Sequence, residues 1–118
     1  MTYVDGFVLA VPTARKDDYR KLAERVAPVF RRHGATAVVE CWGDDVPDGE
    51  ITSFPMAVQR ADDETVVFSW IAWPDKATRD AGNRRAIDAL EAAGMDPKDN
   101  PFDSKRMILG GFRPLVEA

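Results

Sequence analysis

Thr65-Val66-Val67-Phe68-Ser69-Trp70-Ile71-Ala72-Trp73 is the stretch on which the fold turns. All of it except Ser69 and Ala72 is β-branched or aromatic, which is the composition of a strand. Apolar residues occupy both parities, so both faces of this strand need cover. Pro74-Asp75 stops it, and Asp75 reads as the N-cap of a helix. The apolar side of that helix is read as Ala77, Ala81, Ile87 and Leu90, with Gly94 closing it. Gly82 within it costs about 1 kcal/mol relative to Ala.

Upstream, residues 61–64 read as a polar turn. Residues 54–58 read as a short strand or an irregular packed segment. Residues 44–53, rich in Asp, Gly, Pro and Ser, read as a loop. Residues 35–43 form a second strand with Val38, Val39, Cys41 and Trp42. Residues 13–33 read as a helix, because Tyr19, Leu22, Ala23, Val26, Val29 and Phe30 recur at three- and four-residue steps. Thr13 suits its N-cap, Asp17 and Asp18 its positive end, and Gly34 the position just past its C-terminus. Pro28 conflicts with a straight helix and predicts a bend between Glu24 and Pro28. Residues 3–11 form the first strand, ended by Pro12. Downstream, residues 95–104 read as a loop. Residues 105–116 read as a last strand broken by Gly110-Gly111, which suggests a bulge or the close approach of another backbone or a ligand.

The order is β-α-β-β-α-β, which makes the chain an α+β, ferredoxin-like protein. Four antiparallel strands carry two helices on one face and leave the other face bare. On an isolated protomer that bare face should alternate to polar. Here the first, third and fourth strands are apolar on both parities, so a second copy is expected to cover it. Two sheets then pack face to face across a two-fold axis in a homodimer.

Bulk properties agree. The chain has 118 residues, 45% of them hydrophobic and 31% charged, with 16 Lys plus Arg against 20 Asp plus Glu. That fits a single domain over residues 1–118 and excludes disorder. No apolar run approaches the roughly 20 residues of a membrane span, so no membrane partner is expected. The start of the chain lacks a basic n-region, and the lone Cys41 forms no internal disulfide. Both features suit a reducing cytoplasm. A net charge of −4 argues against nucleic acid, which calls for a concentrated basic field.

The sequence resembles the family of small, uncharacterised bacterial YbaA-like proteins. The resemblance rests on Tyr3-Val4-Asp5-Gly6-Phe7, Glu40-Cys41-Trp42-Gly43-Asp44-Asp45-Val46-Pro47, Thr52-Ser53-Phe54-Pro55, Glu64-Thr65-Val66-Val67-Phe68-Ser69-Trp70-Ile71 and Pro101-Phe102-Asp103-Ser104-Lys105-Arg106-Met107 running into Gly110-Gly111-Phe112. It implies a ferredoxin-like protomer in a dimeric α/β barrel, with ligands between sheet and helices. It implies no reaction, and fold alone fixes none.

Candidate site residues follow from chemistry out of place. Asp5 and Glu40 are carboxylates in apolar strands, and Asp5 shares parity with Tyr3 and Phe7. The bland alternative for Asp5 is a strand-end hydrogen bond or an ion pair with Arg106 or Arg113. Cys41 as a nucleophile needs a neighbouring base, and the single histidine, His33, lies at a helix end. An inert half-buried thiol is the better reading. Asp44, Asp45, Asp48 and Glu50 fail the calcium-loop spacing, and no Cys/His cluster exists, so no metal and no cofactor are expected. Trp42, Phe68, Trp70 and Trp73 read as sheet core or dimer contact before they read as a ligand pocket.

The leading expectation is a homodimer that binds a small, mostly apolar molecule between the first helix and the sheet, near Asp5, Phe7, Cys41, Trp42, Phe54 and Trp70. Behind it stand a cofactor-independent oxygenase or isomerase, then an interaction or structural protein without a ligand, and last RNA binding. No acid–base pair is visible in the sequence, so catalytic residues stay unassigned.

Overall fold

The structure is a computed structural model that describes residues 2–118. The strands are β1 (Tyr3–Pro12), β2 (Ala37–Trp42), β3 (Glu64–Trp73) and β4 (Ile108–Phe112). The helices are α1 (Lys16–Arg32), the single turn α2 (Phe54–Ala57) and α3 (Lys76–Ala92). The strands form one antiparallel sheet in the order β2-β3-β1-β4, the ferredoxin-like arrangement. The long strands β1 and β3 lie side by side in its centre over ten paired positions, from Tyr3↔Trp73 to Pro12↔Glu64.

Alternation sorts side chains onto two faces. Tyr3, Leu9 and Val11 of β1 and Val67, Ile71 and Trp73 of β3 point to the helices, where they meet Tyr19, Val29 and Phe30 of α1. Trp73 is fully buried and meets Phe30 edge-on, ring centres 6.3 Å apart. On the opposite face Val8, Ala10 and Val66 are buried, packed with Val58 just after α2, and Glu64 is buried at its end. The rest of that face is open. Phe68 (44% exposed), Ile108 (45%) and Phe112 (61%) stand on it, and Phe54 (50%) of α2 packs edge-on against Phe68.

Several elements differ from the sequence reading. Thr13 does not cap α1. A 3-10 turn (Thr13–Arg15) comes first, and Arg15 holds the cap position without a side-chain bond. Thr13 is tied instead to the start of β3, through its N–H to the Asp63 carbonyl (2.9 Å) and its hydroxyl to that of Thr65 (2.6 Å). α1 is one helix through Pro28, as the sequence reading has it. Glu24 and Pro28 are both exposed, so water can satisfy the carbonyl that loses its partner. Residues 54–57 are a helical turn rather than a strand, because Ser53 accepts a hydrogen bond from the Met56 N–H (3.1 Å) and Pro55 follows it in the first turn.

The buried side of α3 is rotated from the one read in the sequence. Gly82 and Ala86 are buried, whereas Ala77, Ala81 and Ile87 are exposed. A Cβ on Gly82 would strike the His33 carbonyl and the Trp73 ring, so glycine is what lets α3 lie against the end of α1. Asp75 caps α3 as expected, accepting from the Thr78 N–H (2.7 Å). The last strand is shorter than residues 105–116, since a 3-10 turn (Ser104–Arg106) capped by Asp103 precedes it. No bulge separates Gly110 and Gly111, which pair in register with Gly6 and Asp5. The close approach there is made by the chain's own Tyr3 ring, 2.9 Å from where a Gly111 Cβ would stand.

Candidate functional site

Between the helical layer and the sheet lies an open cavity of about 430 Å³. Phe7 and Leu9 of β1, Val38 of β2 and Ile71 of β3 form its floor. Tyr19, Leu22, Ala23, Val26 and Phe30 of α1 and Ile87 and Leu90 of α3 form its walls. Met95, Pro97, Phe102 and Met107 close one end. Small side chains at Ser69 and Ala23 leave space that larger ones would fill. The size is that of a site for a drug-sized or smaller molecule.

One polar contact stands among the apolar walls of this cavity, while Glu91, Asp96 and Asn100 also line it. The Tyr19 hydroxyl donates to Glu40 Oε2 at 2.6 Å. Glu40 shares the helix-facing parity of Val38 and Trp42, so β2 directs its carboxyl toward α1. Glu40 as a residue is exposed, although its carboxyl lines the largely apolar cavity. Burial pushes the Glu40 carboxyl above the ordinary carboxylate range, and the Tyr19 hydrogen bond only partly offsets this. Burial also raises the Tyr19 phenol, with the Glu40 charge and hydrogen bond adding to the rise. Phe102 meets the Tyr19 ring edge-on at 5.9 Å and holds it in place.

Of the six residues expected near a ligand, Phe7 lines this cavity. Asp5 is buried in the same layer, but its carboxylate is spoken for. It accepts from Trp73 Nε1 (2.9 Å) and from Arg79 Nη2 (2.7 Å) and Nε (3.1 Å). The partner is therefore Arg79, neither Arg106 nor Arg113. Arg79 also lies over the Tyr3 ring, 5.1 Å from its centre. Arg106 serves Glu64 with two 2.7 Å bonds. Trp42 packs beside the Leu9, Val11, Tyr19 and Val67 cluster, with Lys16 Nζ 5.4 Å from its ring centre. Cys41, Phe54 and Trp70 are on the open face, where Phe68 lies opposite Cys41 in register and 5.8 Å from the Trp70 ring. His33 ends α1 on the other side of the sheet from Cys41.

Sequence reasoning singled out Glu40 but assigned Tyr19 to an apolar helix stripe, and so missed the pair. The signal available was parity: Glu40 and Trp42 share a face that must meet the first helix. Among the described residues, no three His, Cys, Asp or Glu side chains are grouped so as to hold a metal ion. No helix among them is long and apolar enough to cross a membrane.

Residues 2–104 match the sequence profile of a family described as "Protein of unknown function (DUF1428)". The chain belongs to the DUF1428 family. The chain is similar to the uncharacterised protein YbaA of Escherichia coli K12 and to that of Shigella flexneri, each 48% identical over 123 residues, with 99% of both chains covered. The DUF1428 fold is shared with Rv0793 from Mycobacterium tuberculosis at a TM-score of 0.53 and 13% identity, covering 100% of this chain and 99% of that one. A de novo designed protein, Foldit4, aligns at a TM-score of 0.50 and 14% identity, covering 97% of this chain and 99% of that one.

Proposed function

We propose that this DUF1428 protein is a cytoplasmic homodimer that binds a small, mostly apolar molecule in the cavity between sheet and helices. One observation carries the reading: a largely apolar cavity of about 430 Å³ into which a few polar groups, the Tyr19–Glu40 pair and Ser69 among them, project. Apolar walls supply affinity, and a few convergent polar groups fix orientation. The dimer reading rests on the open face. Phe54, Phe68, Ile108 and Phe112 form an apolar surface of the kind that marks an interface.

The test is fluorescence titration with the neutral solvatochromic dye N-phenyl-1-naphthylamine. Wild-type protein is expected to bind it, and Ala23→Trp, which fills the cavity from α1, is expected to lose it. Equal binding by both would place the dye outside the cavity, and no binding by wild type would reject the ligand reading. Sedimentation equilibrium decides the assembly, with a dimer expected and Phe68→Glu expected to be a monomer.

The Tyr19–Glu40 pair favours a second reading, an isomerase. A carboxyl whose pKa burial raises, hydrogen-bonded to a phenol, has the form of a general base with its partner. Solvent deuterium entering a carbonyl C–H acid, and failing to do so with Glu40→Gln, would establish it. Absence of exchange across such substrates would leave binding alone.

A further inference from the structure

The charged side chains that line the cavity are all acidic. They are Glu40 from β2, Glu91 from α3 and Asp96 from the turn after it, and no Lys, Arg or His joins them. Asp96 gives one oxygen to the Lys98 N–H (2.9 Å), and Glu40 accepts from Tyr19; among the described residues neither forms an ion pair. Three basic side chains, Arg15, Lys21 and Arg25, line a neighbouring, more polar hollow. There they face an equal number of acids, Asp18, Asp96 and Asp99, and Arg15 is already paired with Asp18 at 3.1 Å. Asp96 borders both spaces and is counted with the hollow's three bases and three acids, which leaves Glu40 and Glu91 in the cavity with no basic side chain beside them.

We propose that the cavity selects hydrophobic organic cations: amines with an apolar body and a single ammonium group, which Glu40 receives. An anionic ligand would bring a second negative charge into an apolar space beside Glu40. A neutral ligand would leave the carboxylate without a counter-charge. An ammonium supplies both the counter-charge and a charge-assisted hydrogen bond to the Glu40 oxygen that Tyr19 does not occupy. The aromatic walls suit the same ligand. Phe7, Tyr19, Phe30 and Phe102 all line the cavity, and ring faces attract alkylammonium groups. The apolar floor and walls would hold the body of the molecule.

This inference rests on the cavity being a ligand site, and the experiment separates the two claims. Isothermal titration calorimetry at neutral pH would compare phenylbutylamine, phenylbutanol and phenylbutanoate, which differ only in the terminal group. The amine is expected to bind about tenfold more tightly than the alcohol, and the carboxylate most weakly. Glu40→Gln is expected to bring the amine down to the affinity of the alcohol. The three-ligand comparison on wild-type protein stands even if that variant fails to fold. Binding of the alcohol or the carboxylate at least as tight as that of the amine would overturn the cation preference and leave the cavity reading intact. Binding by none of the three, with the neutral dye also unbound, would overturn both.

Discussion

Glu64 and Glu40 belong to adjacent strands of one sheet, yet their surroundings push them in opposite directions. Glu64 begins β3, where Arg106 reaches across with two 2.7 Å bonds and Ala61 donates its N–H at 2.7 Å. Those contacts hold its carboxyl below the ordinary range, the Arg106 hydrogen bonds most of all, against an opposing effect of burial. Asp5 in β1 is built in the same way, with Arg79 and the Trp73 indole. Glu40 in β2 has only a phenol, and its carboxyl is pushed up. Asp5 and Glu64 are satisfied groups that fasten elements together. Glu40 is a charge still short of a partner, and a group left short is one a ligand can complete.

The largest effect expected from this contrast is at Asp5. Asp5→Ala leaves the Arg79 guanidinium and the buried Trp73 N–H without their acceptor, and should cost about 3–5 kcal/mol in urea denaturation. A loss below about 1 kcal/mol, the range of exposed pairs, would break the distinction. Next is the acid limb. The folded-state pKa of Glu64 is lowered, so its contribution is present above the ordinary carboxylate range and disappears as pH falls through the folded value. Wild-type protein should therefore lose stability on acidification more steeply than Glu64→Gln, as read by melting temperature against pH.

Glu40 should behave with the opposite sign. Its folded-state pKa is raised, so the chain loses stability as pH rises through the folded value. Glu40→Gln should melt at a higher temperature than wild type at neutral pH, by a smaller margin than Asp5→Ala lowers it. A lower melting temperature would make Glu40 another fastening group. The smallest and most specific effect is on titration. Tyr19→Phe removes the hydrogen bond that lowers the Glu40 pKa, so the side-chain carbon resonance of Glu40 should titrate at a higher pH than in wild type.

The fold was legible because its signals are local. The residue 65–73 stretch, Pro74-Asp75 and the spacing from Tyr19 to Phe30 each specify one element, and their order specifies the sheet. What escaped was set by contacts distant in sequence. Thr13 caps nothing because Asp63 and Thr65 hold it. The buried side of α3 follows from how closely Gly82 meets Trp73 and the end of α1, rather than from where its larger apolar residues stand. Asp5 was recognised as facing the same side as Tyr3 and Phe7, but its partner lies 74 positions away. Glu40 was noticed and Tyr19 was not, because a tyrosine in an apolar helix stripe is indistinguishable from core until the opposite strand is placed.

The strand order also governs the sequence of events by which the protein can form. β1 is the first strand to be synthesised, but it lies between β3 and β4, the last two. Its backbone hydrogen bonds cannot be completed until Ile108–Phe112 has been made and docked. Until then β1 offers an unpaired edge over residues 4–8, the stretch that β4 later covers. Pairings this distant along the chain close slowly, and aggregation competes with them during the wait. The yield of native protein in a cell should therefore depend on the rate at which the final strand arrives as well as on the stability of the finished sheet.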